Sequence, residues 1–215
     1  MSAAPTIAVV DYGFGNLRSV AKALARSRLS PEVTGDAAVV ARADGVVLPG
    51  VGAFADAAAC LGAKGLDEAV RASIEAGRPY LGLCLGLQLL FEESDEHGRT
   101  RGLGLLRGRI ERFPACDRTG APLRVPHIGW NSVRFAGAHP MLARLPREDH
   151  YYFVHSYRPV GADSAVVVGR TDYGGEFPAA VATERIFAVQ FHPEKSQWAG
   201  KRLLDAYAAW VSSCR

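Results

Sequence analysis

Residues 80–88 read Tyr80-Leu81-Gly82-Leu83-Cys84-Leu85-Gly86-Leu87-Gln88. Tyr80 to Leu83 has the length and apolar character of a buried strand, and the run from Leu85 to Glu93 reads as a helix that starts directly after Cys84. Gly82 and Gly86 stand two residues to either side of the cysteine. This is the spacing of a strand-to-helix elbow, in which the turn is so tight that neighbouring backbone leaves no room for side chains and the central residue is pushed out above the sheet. A thiol there sits at a helix N-terminus, where the partial positive charge favours the thiolate. The N–H of Leu85 is one of that helix's free donors and can meet an oxyanion formed by attack of Cys84. The pattern alone fits a merely structural cysteine at a Gly-punctuated strand end equally well.

Outward from the elbow, short apolar runs alternate with helical stretches. Ile7 to Val10 reads as a strand ending in the turn-rich residues 11–16, followed by a helix from Leu17 to Arg28 with Leu17, Val20 and Leu24 on one face. Gly45 to Leu48 is a further strand, ending in Pro49-Gly50. This β-α-β-α order predicts a parallel sheet with helices on both faces, with sites at the carboxyl ends of the strands. Beyond Leu105 the character changes to short β segments at 105–113, 125–133, 151–157, 165–170, 179–184 and 186–191, separated by Gly, Pro and Asp. These predict antiparallel strands that extend the sheet and add a lobe. Gly200 to Ser212 closes the chain as a helix with Leu203, Leu204, Tyr207 and Trp210 inward. Residues 161–177 carry no evident chemical role.

A nucleophilic cysteine needs a base and a group to orient that base. His192 follows the apolar strand at 186–191 and so emerges at a strand end, as Cys84 does. Glu194 lies two residues on across a stiff proline, within reach of the imidazole. A loop-end hydrogen bond without catalysis is the plainer reading of His-Pro-Glu taken alone; the elbow reverses the balance. Residues 46–54 form another strand-to-helix transition, whose Gly50 and Gly52 let backbone approach a ligand and aim a second N–H at the oxyanion. No Gly-Lys-Ser/Thr follows, which argues against a phosphate cradle. His127 and His155 sit at strand ends near the same region; His97, His139 and His150 read as loop or surface residues. Cys60 lies in an Ala-rich helix, Cys116 in a polar loop and Cys214 at the chain end, none with catalytic surroundings.

The bulk properties set limits. At 215 residues, 48% hydrophobic and 22% charged, the chain reads as one α/β domain over 1–215 with a core of its own. The net charge of +3 is spread over 21 Arg and 4 Lys without a concentrated basic stripe, which argues against nucleic-acid binding. The cysteines form no C-x-x-C pair, so neither a metal site nor a disulfide framework is expected. No signal-peptide pattern and no long apolar span appear, so a cytoplasmic protein without membrane contact is expected.

Residues 49–54 (PGVGAF), 82–88 (GLCLGLQ) and 191–194 (FHPE), in this order and spread over most of the chain, resemble the class I, triad-type glutamine amidotransferases. Residues 11–20 (DYGFGNLRSV), 125–131 (VPHIGWN) and 152–158 (YFVHSYR) are similar to the glutaminase subunits of imidazole glycerol phosphate synthases of histidine biosynthesis, over essentially the whole length. The resemblance implies a flavodoxin-like α/β sheet with added antiparallel strands. It implies a triad of Cys84, His192 and Glu194, an oxyanion hole at Gly52 and Leu85, and a glutamine pocket touching Gly50, Gln88, Glu96, Ser156 and Tyr157. It further implies a heterodimer with a (β/α)₈-barrel cyclase subunit facing Asn16, Trp130 and Tyr152, with ammonia passed to the barrel and neither metal nor organic cofactor. Val51, between two glycines, can hold its peptide either way, so a loop misaligned until partner and ligand bind is expected. The rivals are a cysteine peptidase or stress-response hydrolase sharing the elbow, an amidotransferase serving another synthase, and an interaction module without chemistry. The His-x-Glu at a late strand end, the 125–131 and 152–158 motifs, and the complete triad argue against each in turn.

Overall fold

The computed structural model describes residues 3–215. The first part of the chain runs β1 (Thr6–Val10), α1 (Leu17–Arg26), β2 (Ser30–Thr34), α2 (Ala37–Arg42), β3 (Gly45–Gly50), α3 (Phe54–Ala63), α4 (Leu66–Glu75), β4 (Tyr80–Cys84) and α5 (Leu85–Gln88). The second part runs β5 (Phe91–Ser94), β6 (Thr100–Arg101), β7 (Leu106–Arg112), β8 (His127–Phe135), β9 (Glu148–His155), β10 (Tyr157–Val160), β11 (Val167–Asp172), β12 (Glu176–Ala182), β13 (Ile186–Val189) and α6 (Gln197–Ser213). Nine strands form one sheet in the order β2-β1-β3-β4-β13-β12-β11-β8-β9, and four more form a second, β10-β7-β5-β6.

The large sheet is parallel from β2 to β13 and antiparallel from β13 to β9. Its parallel strands are apolar without interruption because both faces are covered. Ile7, Val9, Val47, Leu81 and Leu83 point to the side of α1 and α6, while Ala8, Val10, Val46 and Leu48 point to the side of α2, α3 and α4. This is the period-2 alternation of a strand buried on both sides. The chain visits β1, then β2, then crosses to β3 on the other flank of β1, which opens a crevice at the carboxyl ends of the central strands.

Three expectations change. The helix read over Leu85 to Glu93 is a single turn ending at Gln88, and Phe91–Ser94 is a strand. Leu85, Leu87, Leu89, Leu90 and Phe91 are all buried, so this run has no polar face and its period does not separate helix from strand. The carbonyls of Leu89 and Leu90 accept from Leu103 (2.7 Å) and from Leu105 and Leu106 (2.9 Å each), pairings available only once the chain folds back on itself. The segment 151–157, read as one strand, breaks at Ser156: β9 ends in the large sheet and β10 begins in the small one, with Tyr157 opposite Arg112. Helix α1 also stops two residues early, before Arg28 at φ +62°. Residues 161–177 supply β11, which lies between β12 and β8.

Helix α6 is fastened to the sheet through Tyr207. Its buried hydroxyl is shared between the carbonyls of Val46 (3.1 Å) and Pro79 (3.2 Å). A Cβ at Gly45 would lie 2.7 Å from that oxygen, so the position is open only to glycine. Tyr207→Phe removes the donor that these two carbonyls share and is expected to cost about 1 kcal/mol, measured as a lowered urea midpoint with an unchanged slope.

Candidate active site

Cys84 ends β4 at φ +52° and ψ −100°, a conformation that L-residues adopt only under constraint. Neighbouring glycines make it possible. A Cβ at Gly86 would stand 1.8 Å from the carbonyl oxygen of Leu48, and one at Gly82 would stand 2.6 Å from that of Gly86. The Tyr80 hydroxyl donates to the Gly86 carbonyl (2.7 Å) and fixes the far side of the turn. Because α5 is one turn long, the field at Cys84 comes from its local N–H groups rather than from a long helix.

Strand β13 lies directly beside β4, in register from Ile186–Tyr80 to Val189–Leu83. It brings Gln190 and His192 to the level of the thiol. His192 Nδ1 is 2.9 Å from Glu194 Oε1, both side chains being buried. A carboxylate only accepts, so the proton of the neutral ring resides on Nδ1. Nε2 is buried and finds no hydrogen-bond partner among the described residues. Burial by itself would lower the pKa of His192, but the charge of the nearby Cys84 sulfur and then Glu194 outweigh it and raise the pKa to about 10. A protonated His192 beside the Cys84 sulfur is the arrangement this favours.

The cavity above Cys84 has a volume of about 410 Å³. Gly52, Leu85, Gln88, Glu96, Ser156 and Tyr157 all line it, joined by Lys195 and Pro126. Gly50 lies beneath the loop instead, where a Cβ would meet the Tyr12 hydroxyl at 2.2 Å; that hydroxyl donates to the Pro49 carbonyl (2.9 Å). Glu96 accepts from the N–H of Phe54 (2.7 Å), so it caps α3 where Ala53 offers no side chain and anchors the loop that carries Gly52. A larger cavity of about 690 Å³, bordered by His139, Arg185, Trp210 and Cys214, shares no lining residue with the one above Cys84.

Asn16, Trp130 and Tyr152 do not enter the cavity. Asn16 caps α1 by accepting from Ser19 N–H (3.4 Å). Trp130 and Tyr152 are cross-strand partners on β8 and β9, with Ile128 and Trp130 exposed on the same outward face. Tyr152 is tied to the His192 turn through backbone: its carbonyl accepts from His192 N–H (2.9 Å), and its N–H donates to Ser196 Oγ (3.0 Å). Gln190, fully buried, is the site residue that sequence reading passed over; a polar residue inside the apolar strand at 186–191 was its signal. No group of three or more His, Cys, Asp or Glu arranged to hold a metal occurs among the described residues, and no helix there is long and apolar enough to cross a membrane.

The description "Glutamine amidotransferase class-I" matches residues 8–206. The chain is 48% identical over 206 residues to the imidazole glycerol phosphate synthase subunit HisH of Geobacillus thermodenitrificans, covering 96% of each chain. It is 50% identical over 210 residues to the subunit of the same name from Methylococcus capsulatus, covering 95% of this chain and 96% of that one. Among solved structures, PurLQS from Thermotoga maritima superposes with a TM-score of 0.74 at 20% identity, over 97% of this chain and 99% of that one, a likeness of fold. The chain belongs to the class-I glutamine amidotransferases and, within them, to the HisH subunits of imidazole glycerol phosphate synthase.

Gly86→Ala is expected to collapse the elbow, since the added carbon has no room against Leu48. The loss should exceed about 2 kcal/mol in chemical denaturation, in the range for overpacking against backbone. A second expectation concerns the other histidines. Burial pushes His127 down to about 4 and His155 down to about 3, the latter with help from His127 and His192 and against its bond to the Tyr157 carbonyl. The unfolded chain takes up these protons near pH 6.5 and the folded chain does not, so stability falls as pH drops from about 6.5 towards 4 and then 3. In a histidine-selective NMR titration, the C2–H signals of both should stay fixed between about pH 8 and pH 5.5; midpoints near 6.5 for either would contradict this.

Proposed function

We propose that this subunit hydrolyses glutamine through Cys84, His192 and Glu194 and hands the ammonia to a (β/α)₈-barrel cyclase subunit, which makes imidazole glycerol phosphate and aminoimidazole carboxamide ribotide. The observation that carries the reading is the buried His192, set between Glu194 and the Cys84 sulfur, with Cys84 itself lining a cavity of about 410 Å³. The Cys84 thiolate attacks the side-chain amide carbon of glutamine. The tetrahedral oxyanion is met by the N–H of Leu85 and one from the loop at Gly52. His192 gives its proton to the departing ammonia, leaving a thioester. It then takes a proton from water, whose hydroxide attacks the thioester and releases glutamate. Glu194 holds the ring so that Nε2 faces the sulfur throughout.

Gln88, Glu96, Ser156 and Tyr157, together with backbone near Gly50, hold the glutamine, and the outward face at Trp130 and Tyr152, with Asn16, meets the partner. The chain acts as a single domain in the cytoplasm, in keeping with four free thiols. No metal or organic cofactor enters the chemistry. The loop over residues 50–52 is out of line for catalysis until partner and ligand set it, which suppresses wasteful ammonia release.

The test mixes the chain with a barrel cyclase subunit and adds the cyclase's phosphorylated ribulosyl substrate while glutamate is measured. Turnover should be low for the isolated chain, rise by about tenfold or more in the presence of both, and vanish in Cys84→Ala. Equal turnover with and without the partner sinks the loop reading, and full ammonia production by Cys84→Ala sinks the nucleophile.

A further inference from the structure

The strand end that delivers His192 also delivers a polar group that the triad does not use. Gln190 is fully buried and stands one residue beyond the paired Val189 and Leu83, as Cys84 does on its own strand. Its Nε2 lies 3.5 Å from the Cys84 sulfur. Whether an amide turns its N–H or its carbonyl towards a sulfur decides whether it supports or opposes negative charge there. The surrounding bonds settle the orientation.

The Tyr157 carbonyl can only accept. Gln88 Nε2 (3.0 Å) and His155 Nδ1 (2.8 Å) both donate to it. The other N–H of Gln88 then meets Gln190 Oε1 at 3.2 Å. With its carbonyl taken by Gln88, Gln190 has only its NH₂ to present to Cys84. The far end of the chain is as firmly directed. With its proton on Nδ1, His155 accepts at Nε2 from His127 Nδ1 (3.0 Å). His127 Nε2 in turn accepts from Asn131 Nδ2 (3.3 Å). The second N–H of Asn131 goes to the Asp172 carbonyl (2.8 Å), and its Oδ1 accepts from Ser132 N–H (2.9 Å). His127 is stacked between Phe153 and Tyr173, with centroids 4.7 and 4.0 Å away, and its burial favours the neutral ring. Reversing any member would set two buried donors or two buried acceptors face to face.

We propose that Gln190 is a positioning residue of the glutaminase reaction, its amide N–H held towards the Cys84 sulfur by Gln88 and the Tyr157 carbonyl so that the attacking sulfur carries its charge against a fixed donor. This rests on the reading of Cys84 as the nucleophile. The donor serves the sulfur rather than the substrate, so its loss falls on kcat and on the thiol's own reactivity, and much less on KM.

The experiment uses the full chain in complex with the cyclase subunit. Gln190→Glu keeps the shape and the acceptor for Gln88 but sets a carboxylate oxygen at the sulfur; Gln190→Met keeps the volume and removes the donor. Glutamine kinetics are measured beside the rate of carboxamidomethylation of Cys84 by iodoacetamide, read by peptide mass spectrometry. For Gln190→Glu, kcat and alkylation rate should both fall by about tenfold or more, as expected for a lost hydrogen bond to a charged group, with KM changed by less than about threefold and Gln190→Met intermediate. Rates within about twofold of the parent for both variants, or a rise in KM with unchanged alkylation, would overturn the proposal. If Gln190→Glu does not fold, the alkylation rate of Gln190→Met decides alone. Failure of the underlying reading looks different: the parent chain alkylated at Cys84 would go on hydrolysing glutamine.

Discussion

The backbone at Cys84 is held where an unconstrained residue would not stay, at φ +52° and ψ −100°, and most of the molecule contributes to keeping it there. Such a conformation costs of order 1–3 kcal/mol and persists only when its surroundings over-determine it. Strand β3 pairs with β4 up to Gly50 and Cys84 on one side, and β13 pairs with it up to Val189 and Leu83 on the other. Gly86 fits against the Leu48 carbonyl with no space for a side chain. The helices on both faces supply the apolar burial that keeps these strands together. The chemistry at the sulfur is in this sense bought by the core.

The second organising feature is the crossing at Ser156. The chain leaves the large sheet after His155 and enters the small sheet at Tyr157. Ser156 and Tyr157 therefore face the cavity as the wall between two sheets, with a carbonyl that receives both Gln88 and His155. The outward face follows from the same strands. Residues of β8 and β9 alternate, with His127, Val133, Tyr151, Phe153 and His155 buried and Ile128 and Trp130 exposed. Ser196 then bridges from Tyr152 N–H to the His192 carbonyl (3.0 and 2.6 Å), so the edge strand and the triad turn form one rigid unit.

Much of this was legible in the sequence because it depends on short-range rules. The glycines around Cys84, the strand before His192 and the stiff Pro193 each state a local geometry, and their positions at strand ends follow from it; that the two strands are neighbours comes from long-range pairing. Two readings failed where long-range pairing decided. Residues 85–91 are buried on every side, and only the returning chain at 103–106 makes Phe91–Ser94 a strand. The break at Ser156 lies within the continuous apolar and aromatic pattern of residues 151–157, which says nothing of a change of sheet. Gln190 is visible as a polar residue inside an apolar strand, but its place in the site shows only once Cys84 and Gln88 are known to face it across the fold.

The position of β13 has a consequence for how the protein comes into being. It is the last strand in the sequence, yet it lies between β4 and β12 near the middle of the nine-stranded sheet. During synthesis Cys84 leaves the ribosome long before Ile186–Val189 exists, so β4 waits with one edge unpaired and Cys84 without His192 beside it. Such an edge invites association with other chains until it is filled. Insertion of β13 joins β4 to β12 and delivers Gln190, His192 and Glu194 in the same event. On the proposed chemistry a half-made chain lacks the groups that act on glutamine, and the step that fills the open edge of β4 is the step that supplies them.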